Sequence, residues 1–262
     1  MAEMSKIEQQ REHFENISDQ YFAARQSPNH LLVKRYIWEY FFSRIDLDDD
    51  VYDVLEPMCG YAEGKYILEQ YGKLNIQYVG FDYSRPLIDL VKKEQPDLSI
   101  SWQDVTALDE KEFGNRFNLI ILIGGLHHVY DNADLVMKKL TGALKQGGYF
   151  INFEPTHNFF LFNMVRNRIY EKNRLFDKDT EQAFGLDELN RIYTRNGLAI
   201  VEQIYPGLLS YILYYNPDAF PFLNRGGESA VKTLFALDKL FMGNRIGRKF
   251  SFATMTLLRK GS

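Results

Sequence analysis

Val51-Tyr-Asp-Val-Leu-Glu56-Pro-Met-Cys-Gly60-Tyr-Ala-Glu-Gly64 is the stretch that decides the fold. Its first six residues are mostly apolar and read as a strand, 51–56. A turn of small residues follows, then a helix over 63–71. Such a turn lets the backbone approach a ligand closely and aims helix N–H groups at it.

The same alternation continues downstream. IQYVGF (76–81) predicts a strand, and 85–94 a helix started by Ser84 with Pro86 in its first turn. LSISW (98–102) is a third strand. FNLIILI (117–123) is apolar apart from Asn118, without alternation, as in a strand covered on both faces. Residues 131–145 read as a helix with Asp131 as N-cap and Asp134 three later. Gly147-Gly148 then turns the chain into strand 149–154. Strands separated by helices of this length imply crossovers and a parallel sheet. Ligands of such sheets sit outside the carboxyl ends of the strands.

Upstream, 4–24 reads as a polar helix and 30–45 as a second, with Leu31, Leu32, Ile37, Tyr40 and Phe41 near helical spacing. Asp46 to Asp50 is an acidic linker. Downstream, 157–183 is rich in aromatics and Arg/Lys. Residues 185–196 read as a helix ending at Gly197, and LAIVEQIY (198–205) as a strand. Residues 207–248 form an inserted, largely helical segment, and FSFATMTLL (250–258) a last strand. The expected organisation is therefore an N-terminal helical cap (1–46) and a core (47–206) carrying the insert 157–183. A helical insertion over the active site (207–248) and a closing strand (249–260) complete it.

The 262 residues carry a net charge of −4, which argues against a nucleic-acid binder. From Arg225 onward eight Lys/Arg face only Glu228 and Asp238, which suits a solvated face. The single cysteine, Cys59, excludes an internal disulfide and fits a cytoplasmic location. No run approaches the roughly 18 apolar residues of a membrane span. Peripheral membrane contact and a homodimer stay open.

Asp82 ends the second strand, 22 residues after Gly60. An acid about 20 residues beyond a glycine turn can accept hydrogen bonds from both hydroxyls of a ribose. Asp104 ends the third strand, where a carboxylate could accept an adenine amino proton or simply cap a turn.

In this order the motifs resemble class I S-adenosylmethionine-dependent methyltransferases of the small-molecule kind. VLEPMCGYAEG looks like the family's first glycine motif, YVGFDYS its ribose motif and SWQDV its adenine motif. FNLIILIGGLHHVYD and LKQGGYFINFEP are similar to its fourth and fifth strands. The sequence departs at Met58 and Ala62, which stand where the family commonly has glycine. The resemblance implies a Rossmann-like α/β fold, a seven-stranded mostly parallel sheet with N-terminal cap helices and a helical insertion. It places Glu56, Met58 and Gly60 near the methionine end of S-adenosylmethionine, and Asp82 with Tyr83 at the ribose. Asp104 and Val105 fall at adenine, Gly124 against the cofactor, and Tyr21 and Arg25 in a lid. The product would be S-adenosylhomocysteine.

Methyl transfer to a hydroxyl needs a base, and histidine suits that task at neutral pH. His127 and His128, just past the fourth strand, are the leading candidates, followed by His157 and then Tyr130. A metal held by His127, His128 and Asp131 is disfavoured, since neighbouring histidines seldom converge on one ion. The acceptor is expected to be a small molecule, sugar or glycan with an apolar or anionic part. Two rivals are a catalytically silent methyltransferase-like scaffold and a nicotinamide-dependent dehydrogenase. The absence of G-x-G-x-x-G argues against the latter.

Overall fold

The computed structural model describes residues 25–47, 51–157, 183–215, 217 and 224–261. The helix expected at 4–24, with Tyr21, lies outside the described residues. So do Asp48 to Asp50, most of the basic and aromatic insert (158–182), and 218–223.

The described chain begins with α1, Pro28–Phe42. Ser27 caps it through His30 N–H, and Pro28 pre-sets the first turn. The buried stripe is Val33, Ile37, Trp38 and Phe41, shifted from the expected one: Leu31 is 41% exposed. His30 and Lys34 share the buried face at i, i+4 spacing with Trp38.

The sheet elements follow in order: β1 (Tyr52–Pro57), α2 (Glu63–Gln70), β2 (Ile76–Asp82), α3 (Arg85–Glu94), β3 (Ile100–Trp102), a short helix α4 (Glu110–Phe113) and β4 (Phe117–Ile123). A 3-10 turn, Leu126–Asn132, leads into α5 (Ala133–Ala143), then β5 (Leu144–Pro155). After 183 come α6 (Leu186–Arg195), β6 (Leu198–Ile204), a π-turn at Tyr211–Tyr215, α7 (Glu228–Lys239), α8 (Arg245–Phe250) and β7 (Ala253–Lys260).

The sheet order is β3-β2-β1-β4-β5-β7-β6, with β7 antiparallel to both neighbours. The chain winds outward from β1 through β2 and β3, then returns to β4 on the other side. The crevice at the carboxyl ends of β1 and β4 is the switch point where such sheets take ligands. One apolar layer packs α1, α2 and α3 with the π-turn and α7 on one face of the sheet. The other packs Phe113, α5 and α6 on the opposite face. That double cover explains why FNLIILI is apolar without alternation.

Four local expectations are corrected. Asp131 does not cap α5: it falls inside the 3-10 turn, and Asn132 occupies the cap position. Strand β5 starts at Leu144, not after the glycine pair. Gly147, at φ +75°, lies within it where its pairing with β4 skips from Phe117↔Leu144 to Leu119↔Tyr149. A glycine is needed there because a side chain disfavours that backbone. Strand β3 is shorter than 98–102, and β7 starts three residues later than the stretch 250–258 suggested.

Segment 207–248 packs on α1. Asp238 of α7 accepts Leu209 N–H at 3.2 Å, Ser210 N–H at 2.6 Å and Ser210 Oγ at 2.6 Å, which fastens the segment to itself. Tyr215 carbonyl bonds His30 Nδ1 at 2.8 Å, which fastens it to α1.

Candidate active site

A cavity of about 620 Å³ opens at the strand tips around the switch point. That volume suits a ligand of nucleoside size. Its floor is the β1–α2 turn. Three residues there hold left-handed backbone at alternate positions: Met58 (φ 54°), Gly60 (φ 51°) and Ala62 (φ 58°). Two are therefore non-glycine residues in a region that glycine adopts without steric cost. Sequence resemblance had singled out these same two positions as departures.

The turn is tied to β2. Gly60 N–H donates to Asp82 Oδ2 at 2.9 Å, and Ser84 N–H to Asp82 Oδ1 at 2.8 Å. Burial raises the Asp82 carboxyl above the ordinary range, while these amides pull it back. Each oxygen keeps further acceptor capacity toward the cavity. Beside it Tyr83 stacks on Trp102, rings 5.7 Å apart, and Arg85 covers the indole at 4.3 Å.

At the tip of β3, Asp104 Oδ1 accepts from Thr106 N–H at 2.8 Å and Thr106 Oγ1 at 2.7 Å. Asp104 is thus a cap, and it also lines the cavity with Val105.

The opposite end is charged and buried. Glu56 is 2% exposed; it accepts from Gly64 N–H at 2.8 Å and from Tyr78 Oη at 2.5 Å. Burial pushes its carboxyl up to about 7. A Cβ on Gly64 would lie 2.7 Å from that carboxylate, so the glycine is required by close approach. Lys34 pairs with Glu63 and is drawn down to about 7 by burial and by Arg25. His30 is held near 3, chiefly by burial, and is neutral. Arg25, His30 and Lys34 all face this cavity.

On the β4 side, Gly124 turns at φ +59° and donates to Phe153 carbonyl at 2.7 Å. Glu154 of β5, fully buried, gathers the next segment. It accepts N–H groups of Gly125 (3.1 Å), Leu126 (2.8 Å) and His127 (3.4 Å), and it meets His127 Nδ1 at 2.9 Å. Burial raises its carboxyl to about 7. The rings of His127 and His128 lie 4.0 Å apart, and His128 lines the cavity.

Residues 59–150 match the family model described as a methyltransferase domain. Over that stretch the chain is similar to a methyltransferase domain, and its sheet has the Rossmann-like, mostly parallel order with one antiparallel strand.

The fold of the chain is shared with solved structures at low identity. A chain of the complex between the Haloferax volcanii Trm112 methyltransferase activator and its partner superposes with TM-score 0.64 at 14% identity, over 96% of this chain and 97% of that one. A SAM-dependent methyltransferase from Thermotoga maritima gives 0.58 at 15% identity, over 95% and 99%. The 4+2 cyclase SpnF gives 0.56 at 13% identity, over 86% and 80%. Identities this low establish the architecture alone. No curated protein sequence matches the chain.

Nine residues singled out from the sequence line one cavity: Arg25, Glu56, Met58, Gly60, Asp82, Tyr83, Asp104, Val105 and Gly124. His127 and His128 come together at its β4 end. His157 does not join them; it lines a second depression. No described residue of 207–248 lines the main cavity. Sequence reasoning missed Glu154, Lys34 and His30. A signal existed for each: an acid inside an apolar strand, and two polar residues on an apolar helical stripe. No described group of three His, Cys, Asp or Glu is arranged to hold a metal ion. No described helix is long and apolar enough to cross a membrane.

Proposed function

We propose that the protein is a methyltransferase that transfers the methyl group of S-adenosylmethionine to a hydroxyl of a small acceptor. The observation that carries the reading is the joining of Gly60 and Asp82 through one hydrogen bond at the switch-point cavity. Asp82 is suited to accept the ribose hydroxyls, and Asp104 with Val105 to border adenine. Arg25, Lys34 and Glu56 form a polar end that fits an α-amino carboxylate.

The sulfonium supplies an electrophilic methyl carbon when bound. The protein must then align the acceptor, exclude water and take a proton. His128 is the base in this reading, because it faces the cavity. His127, anchored by Glu154 through Nδ1, packs behind it and fixes its ring. With the sulfonium bound, it would supply the methyl group to the acceptor oxygen and leave as the neutral thioether, while His128 would take the hydroxyl proton.

Calorimetry with S-adenosylhomocysteine tests the cofactor half. Saturable binding that is weakened in Asp82→Ala is the expected result. No binding at millimolar ligand would replace the reading with a catalytically silent scaffold.

A further inference from the structure

A second depression, about 380 Å³, has a lining that shares no residue with the main cavity. Its lining includes Arg191 of α6 and Arg245, Arg248 and Lys249 of α8, with His157 after β5. Both acids in it are already engaged, one of them by an arginine of the depression itself. Asp187 pairs with Arg248 at 2.7 Å. Glu188 accepts from Tyr130 Oη at 2.6 Å and from Gly185 N–H at 3.4 Å. Four cations thus line the depression beside two carboxylates, one of which Arg248 already holds, and neither Arg191 nor Arg245 forms an ion pair among the described residues.

Two connections place this depression next to the proposed chemistry. Tyr130 reaches from the histidine-bearing turn to Glu188. His157 follows by three residues the Glu154 that holds His127. The guanidiniums of Arg191 and Arg245 offer planar forks that match phosphoryl oxygens bidentately.

We propose that this depression is a phosphate subsite that receives the phosphoryl end of the acceptor, so that the methylated substrate is a phosphate monoester. The link to methylation rests on the function proposed above; the binding of phosphate does not.

The test is a titration of the full chain with inorganic phosphate at fixed ionic strength, read by calorimetry, with acetate in parallel. Saturable phosphate binding is expected, stronger than acetate. It should weaken at least roughly tenfold in Arg191→Gln/Arg245→Gln, about 1.4 kcal/mol. It should persist in Lys92→Gln/Lys232→Gln, which loses the same charge at exposed sites elsewhere. Equal loss in both double variants, or acetate binding as well as phosphate, would overturn the subsite. S-adenosylhomocysteine titrated into the same samples separates the two ideas: its failure to bind would sink the methyltransferase reading while leaving the phosphate result intact.

Discussion

Gly60 N–H and Asp82 Oδ2 meet at 2.9 Å, although 22 residues separate them. The β1 turn and the β2 tip are therefore one unit, and a ligand bound by Asp82 also meets a turn whose shape Asp82 sets. Replacing Asp82 with Ala removes both functions. Affinity for S-adenosylhomocysteine should fall roughly 10- to 100-fold by calorimetry, as expected for a lost hydrogen bond to a charged group. Asp82→Asn should fall between. An Asp82→Ala affinity equal to wild type would contradict this coupling.

The turn also stores backbone strain that can be released. Ala62 sits at φ 58° with a Cβ, ahead of α2. Ala62→Gly should raise stability by up to about 1 kcal/mol, because glycine adopts this region freely. Gly64→Ala should do the opposite, since its methyl group would meet the buried Glu56 carboxylate at 2.7 Å. Urea unfolding of the two variants checks the pair of signs.

Stability should vary with pH in a defined sense. Glu56 and Glu154 titrate near 7 when folded, raised by burial from an ordinary value of 4.5. Between those limits the folded chain binds more protons than the unfolded one. Their contribution is complete below about 4.5 and is lost as pH rises through 7. Each carboxyl accounts for on the order of 3 kcal/mol at most. Lys34, lowered from 10.5 to about 7, acts in the other direction, and stability recovers as pH rises above 7. Chemical denaturation at several pH values should show a shallow minimum near neutrality. Glu154→Gln should flatten its acid side; an unaltered slope would show that Glu154 is not the titrating group.

The two histidines should differ in what they do to turnover. His128→Ala is expected to lower kcat by roughly 10²-fold or more, the range for lost general-base catalysis. It should leave affinity for S-adenosylhomocysteine near wild type and abolish the acid limb of the kcat–pH profile. His127→Ala should cost less, and Glu154→Gln should resemble it, because both act through the orientation of His128. Unchanged turnover in both histidine variants would remove this pair from the chemistry.

Much of this was legible in the chain alone. Strand β4 was readable because a strand covered on both faces must be apolar throughout. The meeting of the Gly60 turn with Asp82 was readable because a small-residue turn and an acid at fixed spacing are local consequences of one crossover unit. Element ends were less legible: Asp131 looked like a cap, but the 3-10 turn carries the chain one residue further before α5 begins.

The sequence by itself determined the alternation of strands and helices, hence the parallel sheet and the strand tips where a ligand must sit. Periodicity and turn chemistry act over a few residues, so they are written locally. Only the tertiary structure decided that Glu154 reaches across to hold His127, that His30 and Lys34 point into the cavity, and that His157 faces a different depression among arginines. Those relationships depend on which strands become neighbours and which helix covers them, and pairing at that range leaves no fixed spacing along the chain.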